Sequence, residues 1–159
     1  MIKRPKLIFS AWHKWDAEMA HRLTRKQLPF SDELEWPGIY VWAWFNESPN
    51  DRLSLLKPPR EILYIGEAKR PLRERLNQFS LSYFSSIKGH DGGLRVSNMT
   101  KQKDGHLYLS YFSLRMDNEP PDFLKDIYHW SRAFLHYAER LVIWQYVRRW
   151  GRRPDANNT

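Results

Sequence analysis

Apolar positions along this chain alternate in some stretches and recur every three or four residues in others, and the change of period marks out its elements. From Gly38 to Phe45 the run Gly-Ile-Tyr-Val-Trp-Ala-Trp-Phe has the length and the aromatic and β-branched content of a strand. Strand geometry puts Ile39, Val41, Ala43 and Phe45 on one face and Tyr40, Trp42 and Trp44 on the other, and both faces are apolar enough to be covered. A second strand is expected over Ile62-Leu63-Tyr64-Ile65, closed by Gly66, and a third over Leu107 to Leu114. Paired as a hairpin across the turn-rich connection Asn46 to Arg60, the first two place Tyr40 and Tyr64 on the same side of a sheet. After Gly66 the period becomes helical: Pro71 suits a first helical position, and Leu72, Leu76, Phe79 and Tyr83 form one stripe. Arg75 borders that stripe and leans over the sheet, whereas Arg73 points away.

The flanking segments are less regular. Ala11 to Gln27 predicts a helix carrying Trp12, Trp15, Met19, Arg22 and Leu23 at three- and four-residue steps, stopped by Pro29. Residues 1–36 therefore read as an N-terminal helical extension, and residues 37–159 as the domain proper. Residues 85–105 contain Gly89, Gly92, Gly93 and Gly105 among polar side chains. They read as a long loop exposing Lys88, His90, Arg95, Lys101 and Lys103. Asn118-Glu119-Pro120-Pro121-Asp122 has the residues of a helix start, and Phe123, Ile127, Trp130, Phe134, Tyr137 and Leu141 continue a helical pattern. That last helix turns apolar all round from Ala138 to Val147 and ends in the basic tail Arg148-Arg149-Trp150-Gly151-Arg152-Arg153-Pro154.

Composition narrows the class. With 159 residues, 42% hydrophobic and 15% aromatic, one folded domain is expected. No apolar run approaches the roughly 18 residues of a membrane span, and no apolar stretch follows the first basic residues, so a cytoplasmic protein without a membrane partner is expected. The absence of cysteine excludes a disulfide framework, a thiolate metal site and a cysteine nucleophile. A formal charge of +8 points to an anionic partner. The eight tryptophans and eight tyrosines could stack on bases, although a dense aromatic core accounts for most of them.

Glu139 is the odd residue of the last helix, set among Ala138, Leu141, Val142, Ile143 and Tyr146. A carboxylate in such a stretch is costly unless it pairs with a cation or coordinates a metal. A buried ion pair with an arginine such as Arg75 and a metal site weigh equally on residue pattern alone. No phosphate-binding Gly-rich fingerprint, His-Glu-x-x-His or Gly-x-Ser-x-Gly motif is present. His13, His21, His90, His106, His129 and His136 show no convincing metal-ligand spacing.

Gly38-Ile39-Tyr40 and Tyr64-Ile65-Gly66, followed by a helix bearing Arg75-Leu76 and by the late Glu139, resemble the GIY-YIG nuclease superfamily. The likeness covers about Pro37 to Asn157. It implies an α+β fold with a central three-stranded, mainly antiparallel sheet flanked by helices. It further implies a metal-dependent DNA endonuclease of the single-metal type, RNA remaining open as a substrate. By that resemblance Glu139 binds Mg²⁺, for which Mn²⁺ can substitute, and Arg75 clamps the phosphate and offsets transition-state charge. Tyr40 orients or deprotonates the attacking water, Tyr64 shares its hydrogen-bond network, Gly66 lets backbone and phosphate approach closely, and Asn157 resembles the family's final motif.

The chain departs from the family pattern in four places. The connection between the triplets is longer, one extra residue follows Gly66, Phe79 stands where members often carry a histidine or tyrosine, and Glu67 stands where some carry a lysine. Lys69, Arg70 or His90 is expected to fill the missing polar role, with Lys69 first and His90 second as the cation that supports Tyr40. Lys88, Arg95, Lys101 and Lys103, together with Arg148, Arg149, Arg152 and Arg153, are expected on nucleic-acid phosphates, with loose sequence preference. The alternative is a catalytically attenuated nucleic-acid-binding module on the same scaffold. Oligomeric state has no signal in the sequence.

Overall fold

The computed structural model describes residues 7–115 and 127–157. In chain order the elements are β1 (His13–Lys14), α1 (Ala17–Thr24), α2 (Ser31–Leu34), β2 (Gly38–Phe45), β3 (Ile62–Ala68), α3 (Leu72–Ser85), α4 (Asp91–Thr100), β4 (His106–Ser113) and α5 (Ile127–Trp150), closed by a 3₁₀ turn at Asp155–Asn157. The strands form one antiparallel sheet in the order β1-β4-β2-β3. The sheet therefore has four strands where three were expected. The expected helix start at residues 118–122 lies outside the described residues.

The fourth strand comes from the stretch read as helix from Ala11. His13 and Lys14 pair with Leu109 and Tyr108, and the Trp15 N–H donates to Leu107 O at 2.8 Å. Asp16 then accepts from the Met19 N–H and starts the helix only at Ala17. Trp15 is buried by this path, its Nε1 donating to Ser80 Oγ of α3 at 3.1 Å. Ladder pairing and burial of one indole outweigh a weak helical preference over a few residues.

The alternation in β2 sorts the core into two halves. On one face Tyr40 and Trp42 pack with Leu72, Leu76 and Phe79 of α3 and Val96 of α4, joined by Leu23, Leu28 and Leu34 from the N-terminal segment. On the other, Ile39, Val41 and Ala43 meet Ile65 and the α5 residues Leu135, Ala138, Val142 and Tyr146. The α5 stretch read as apolar all round is one-sided: Ala138, Val142 and Tyr146 are buried while Arg140 and Trp144 are exposed, and its C-terminal end is held by the long connection between β2 and β3. There the Tyr146 hydroxyl donates to Arg60 O at 3.0 Å and Trp150 Nε1 donates to Pro58 O at 2.9 Å. Among the described residues no helix is long and apolar enough to cross a membrane.

The stretch read as a loop over residues 85–105 holds α4. Its two glycines hid it, because glycine lowers helix propensity by about 1 kcal/mol. Tertiary approach demands them here: a Cβ on Gly92 would stand 2.6 Å from the Tyr64 ring, and one on Gly93 would stand 2.7 Å from Phe79 O. His90 caps the helix, its side chain accepting from the Gly93 N–H. Arg95 thus sits on a helix, while Lys88 lies exposed before it and Lys101 and Lys103 lie exposed after it.

Candidate active site

β3 is an edge strand, so helices from both faces of the sheet converge on its far side. Tyr40 on β2 sits opposite Gly66 on β3, and Trp42 opposite Tyr64. The two triplet tyrosines therefore share a face, their rings 6.0 Å apart. A Cβ on Gly66 would come within 2.5 Å of Tyr40 Cζ and Oη. The space above Gly66 belongs to the Tyr40 phenol, which corrects the expectation that this glycine admits a phosphate against the backbone. Side chains of β3 alternate, so Glu67 turns to the opposite face and meets α5.

A cavity of about 470 Å³ opens at this edge, lined among others by Tyr40, Tyr64, Gly66, Lys69, Arg75 and Glu139. A second, of about 490 Å³, shares Tyr64, Arg75 and Glu139 with it and continues along Arg95, Arg153 and Asn157. The remaining basic residues stand elsewhere. Lys103 lines a separate cavity beside Trp44 and Asn46, Arg149 packs its guanidinium 5.1 Å from the Trp150 ring, and Arg152 pairs with Asp155. Arg148, Lys88 and Lys101 are exposed. Asn157 has its amide committed to β3: Oδ1 accepts from the Ile65 N–H and Nδ2 donates to Ile65 O, each at 2.8 Å. It closes the strand's open edge as one more ladder residue would.

Tyr40 is buried, and its hydroxyl lies 2.8 Å from His90 Nε2. The proton positions follow from the second ring nitrogen. His90 Nδ1 accepts from the Gly93 N–H at 3.1 Å and so carries no proton, which leaves the neutral ring protonated at Nε2. Nε2–H then donates to Tyr40 Oη. Burial, aided by the nearby Arg75 charge, pushes the His90 pKa down to about 4, so the ring is neutral near pH 7. His90 therefore meets Tyr40 as a neutral donor and not as the cation expected there. Phe79 supports it with an edge contact, ring centroids 5.2 Å apart, and itself stacks on Trp42 at 4.1 Å.

The cation that acts on Tyr40 is Arg75. Desolvation raises the Tyr40 pKa, the Tyr64 hydroxyl raises it further, and Arg75 opposes both by charge and hydrogen bond. Lys69, expected in that role, lies with Nζ 3.8 Å from Glu67 Oε1 at the rim of the cavity. Tyr64 is less enclosed than Tyr40. Burial raises its pKa as well, Arg75 and Arg95 lower it, and Glu139 raises it. Arg75 is steadied on its own helix by donating from Nη1 to Gln78 Oε1 at 2.8 Å.

Glu139 is half-buried, and its pKa is pushed up to about 7, first by desolvation and next by the Glu67 carboxylate. Arg140 and His136 pull it down, and among the described residues Glu139 makes no ion pair with Arg75. Ligand atoms of Glu67, His136 and Glu139 all lie within 4.8 Å of one another. Glu67 Oε2 is buried and has no hydrogen-bond partner. Two carboxylates held together, with one oxygen unpartnered, fit a divalent cation by donor chemistry. Glu67 and His136 were not singled out as metal ligands from the sequence. In the sequence His136 and Glu139 stand three residues apart, a spacing that puts both on a common helix face. Comparison of the chain with family models, with curated proteins and with solved structures finds no match in any of the three.

Proposed function

We propose that the chain is a metal-dependent endonuclease that hydrolyses DNA phosphodiester bonds in the cleft at the β3 edge, by the single-metal chemistry of the GIY-YIG nucleases. The observation that carries this reading is convergence. Tyr40, Tyr64, Arg75 and Glu139, spread over nearly 100 residues of chain, line one cavity. Glu139, with Glu67 beside it, would hold a divalent cation, which when bound supplies positive charge to a non-bridging phosphate oxygen and to the leaving oxygen. Arg75, which lines both cavities, binds the phosphate with a planar pair of N–H donors and offsets the charge that grows in the transition state. Arg95 and Arg153 continue the positive track and bind flanking phosphates.

The tyrosines handle water. Tyr40 Oη already accepts from His90, so its own proton points away from that bond, towards Tyr64 or the cavity. Burial keeps the phenol protonated, which suits it to orient a water, directly or through Tyr64, more than to deprotonate one. Its burial also favours one specific second reading, a binding module with attenuated catalysis, in which the Tyr40–His90 bond is only part of the core.

A supercoiled-plasmid nicking assay separates the two. Mg²⁺- or Mn²⁺-dependent nicking that EDTA stops, and that Glu139→Gln and Arg75→Ala each abolish while DNA binding survives, is the result expected. Nicking by Glu139→Gln at the parental rate refutes the nuclease assignment. Tight DNA binding with no nicking under either metal selects the binding module.

A further inference from the structure

We infer that Glu67, His136 and Glu139 together form a three-ligand divalent metal centre, which takes transition ions of the Mn²⁺ to Zn²⁺ class ahead of Mg²⁺ and binds them without DNA. Three elements of the arrangement carry this. The ligand atoms of all three side chains lie within 4.8 Å of one another, close enough to share one ion after small rotamer changes. His136 and Glu139 are i, i+3 on α5, a spacing that presents both donors from one helix face to the same point. Glu67 arrives from the edge strand, with Oε1 3.5 Å from His136 Nδ1 and Oε2 buried without a partner. An unpaired buried carboxylate oxygen has a high desolvation cost, which a bound cation removes.

The donor set determines the class of ion. A site of oxygen atoms alone suits Mg²⁺, which keeps most of its water shell and needs few protein ligands. An imidazole nitrogen shifts preference towards Mn²⁺, Co²⁺ and Zn²⁺. Two carboxylates cancel the ion's double charge, so the centre is neutral before any phosphate arrives. Lys69, 53% exposed and 3.8 Å from Glu67 Oε1, offsets part of the acid's charge and is free on its solvent side to give way to an ion. The inference deepens the nuclease reading of the same cleft and rests on it only for where the scissile phosphate lies.

The test is a metal titration of the full chain in the absence of DNA, followed by EPR of Mn²⁺ and by calorimetry for Mn²⁺ and Mg²⁺. One Mn²⁺ per chain is expected, bound at least about tenfold more tightly than Mg²⁺, with nitrogen modulation in the pulsed EPR of the bound ion. His136→Ala removes that modulation and weakens Mn²⁺ by about tenfold or more, while changing Mg²⁺ by no more than about threefold. Glu67→Gln and Glu139→Gln weaken both ions. His136 is exposed, Glu139 is half-buried and Glu67 is more enclosed, so circular dichroism checks that each variant is folded. Mn²⁺ affinity unchanged in His136→Ala and Glu67→Gln, or binding without the nitrogen signature, overturns the centre and leaves His136 as an ion-pair partner of Glu67. A chain that binds Mn²⁺ through all three residues but cuts no DNA keeps the centre and loses the nuclease. A chain that nicks DNA with the metal held by Glu139 alone does the reverse.

Discussion

Acid should weaken this fold through His90. In the unfolded chain its imidazole titrates near 6.5, whereas in the fold it titrates near 4, because the ring is buried and faces the Arg75 guanidinium. The sign follows directly: a group whose basicity is depressed by folding binds more protons when unfolded, so stability is full above pH 6.5 and declines as pH falls towards 4. Below that value both states are protonated and the loss stops growing. At about 1.4 kcal/mol per pH unit, the interval between the two values corresponds to about 3.5 kcal/mol, of which about 2.5 kcal/mol is lost by pH 4.5. That is a large share of the roughly 5–15 kcal/mol of a typical domain. Urea unfolding of the parent and of His90→Asn at pH 7 and pH 4.5 measures it. Asparagine keeps an acceptor for the Gly93 N–H at the start of α4 but has no proton to gain. The variant starts lower at pH 7, having lost the bond to Tyr40, and should lose about 2.5 kcal/mol less than the parent on acidification. Parallel losses in the two proteins would refute the argument that His90 is held neutral, and with it the assignment of Nε2–H as donor to Tyr40.

Three further outcomes are expected. Gly66→Ala drives a methyl into the Tyr40 phenol and should cost about 2 kcal/mol by overpacking, with Tyr40 forced off His90; nicking should collapse while DNA affinity holds, and an unchanged melting curve would show that the ring has room to move. Asn157→Ala removes two hydrogen bonds from the β3 edge and should cost about 2 kcal/mol, visible in urea and as faster hydrogen exchange at the Ile65 amide. Replacing Arg95 and Arg153 by glutamine should weaken DNA binding on all sequences alike and flatten the slope of log affinity against log salt by about 1 to 2, the Arg95 share being the smaller because its Nη1 already donates to Ala156 O at 3.1 Å; the same change at Arg149 and Arg152, which lie outside both cavities and are engaged with Trp150 and Asp155, should do less.

What could be seen in the sequence was whatever local period and local chemistry express. The alternation from Ile39 to Phe45 sorted its side chains correctly between the two halves of the core. The stripe Leu72, Leu76 and Phe79 packs as its spacing requires, and the strand pairing puts Tyr40 and Tyr64 on one face. What failed were segments whose local signal is weak or contrary. His13–Lys14 is too short to show a period and becomes a strand only because β4 offers it a ladder. α4 carries two glycines in its first turn that argue against helix locally and fit because Tyr64 and Phe79 press on them.

The site divides in the same way. Tyr40, Tyr64, Arg75 and Glu139 stood out by motif and by the cost of a carboxylate in an apolar helix. Glu67 and His136, 69 positions apart, had no local reason to be joined. Their meeting depends on β3 lying at the sheet edge, turning its odd side chain towards α5. His90 likewise reaches Tyr40 across 50 residues, to fill the place that Phe79 leaves without a polar group. Local sequence determines which face a side chain takes along its own strand or helix. Which distant donors then meet on that face is decided by packing, because contact free energy depends on three-dimensional separation and not on distance along the chain.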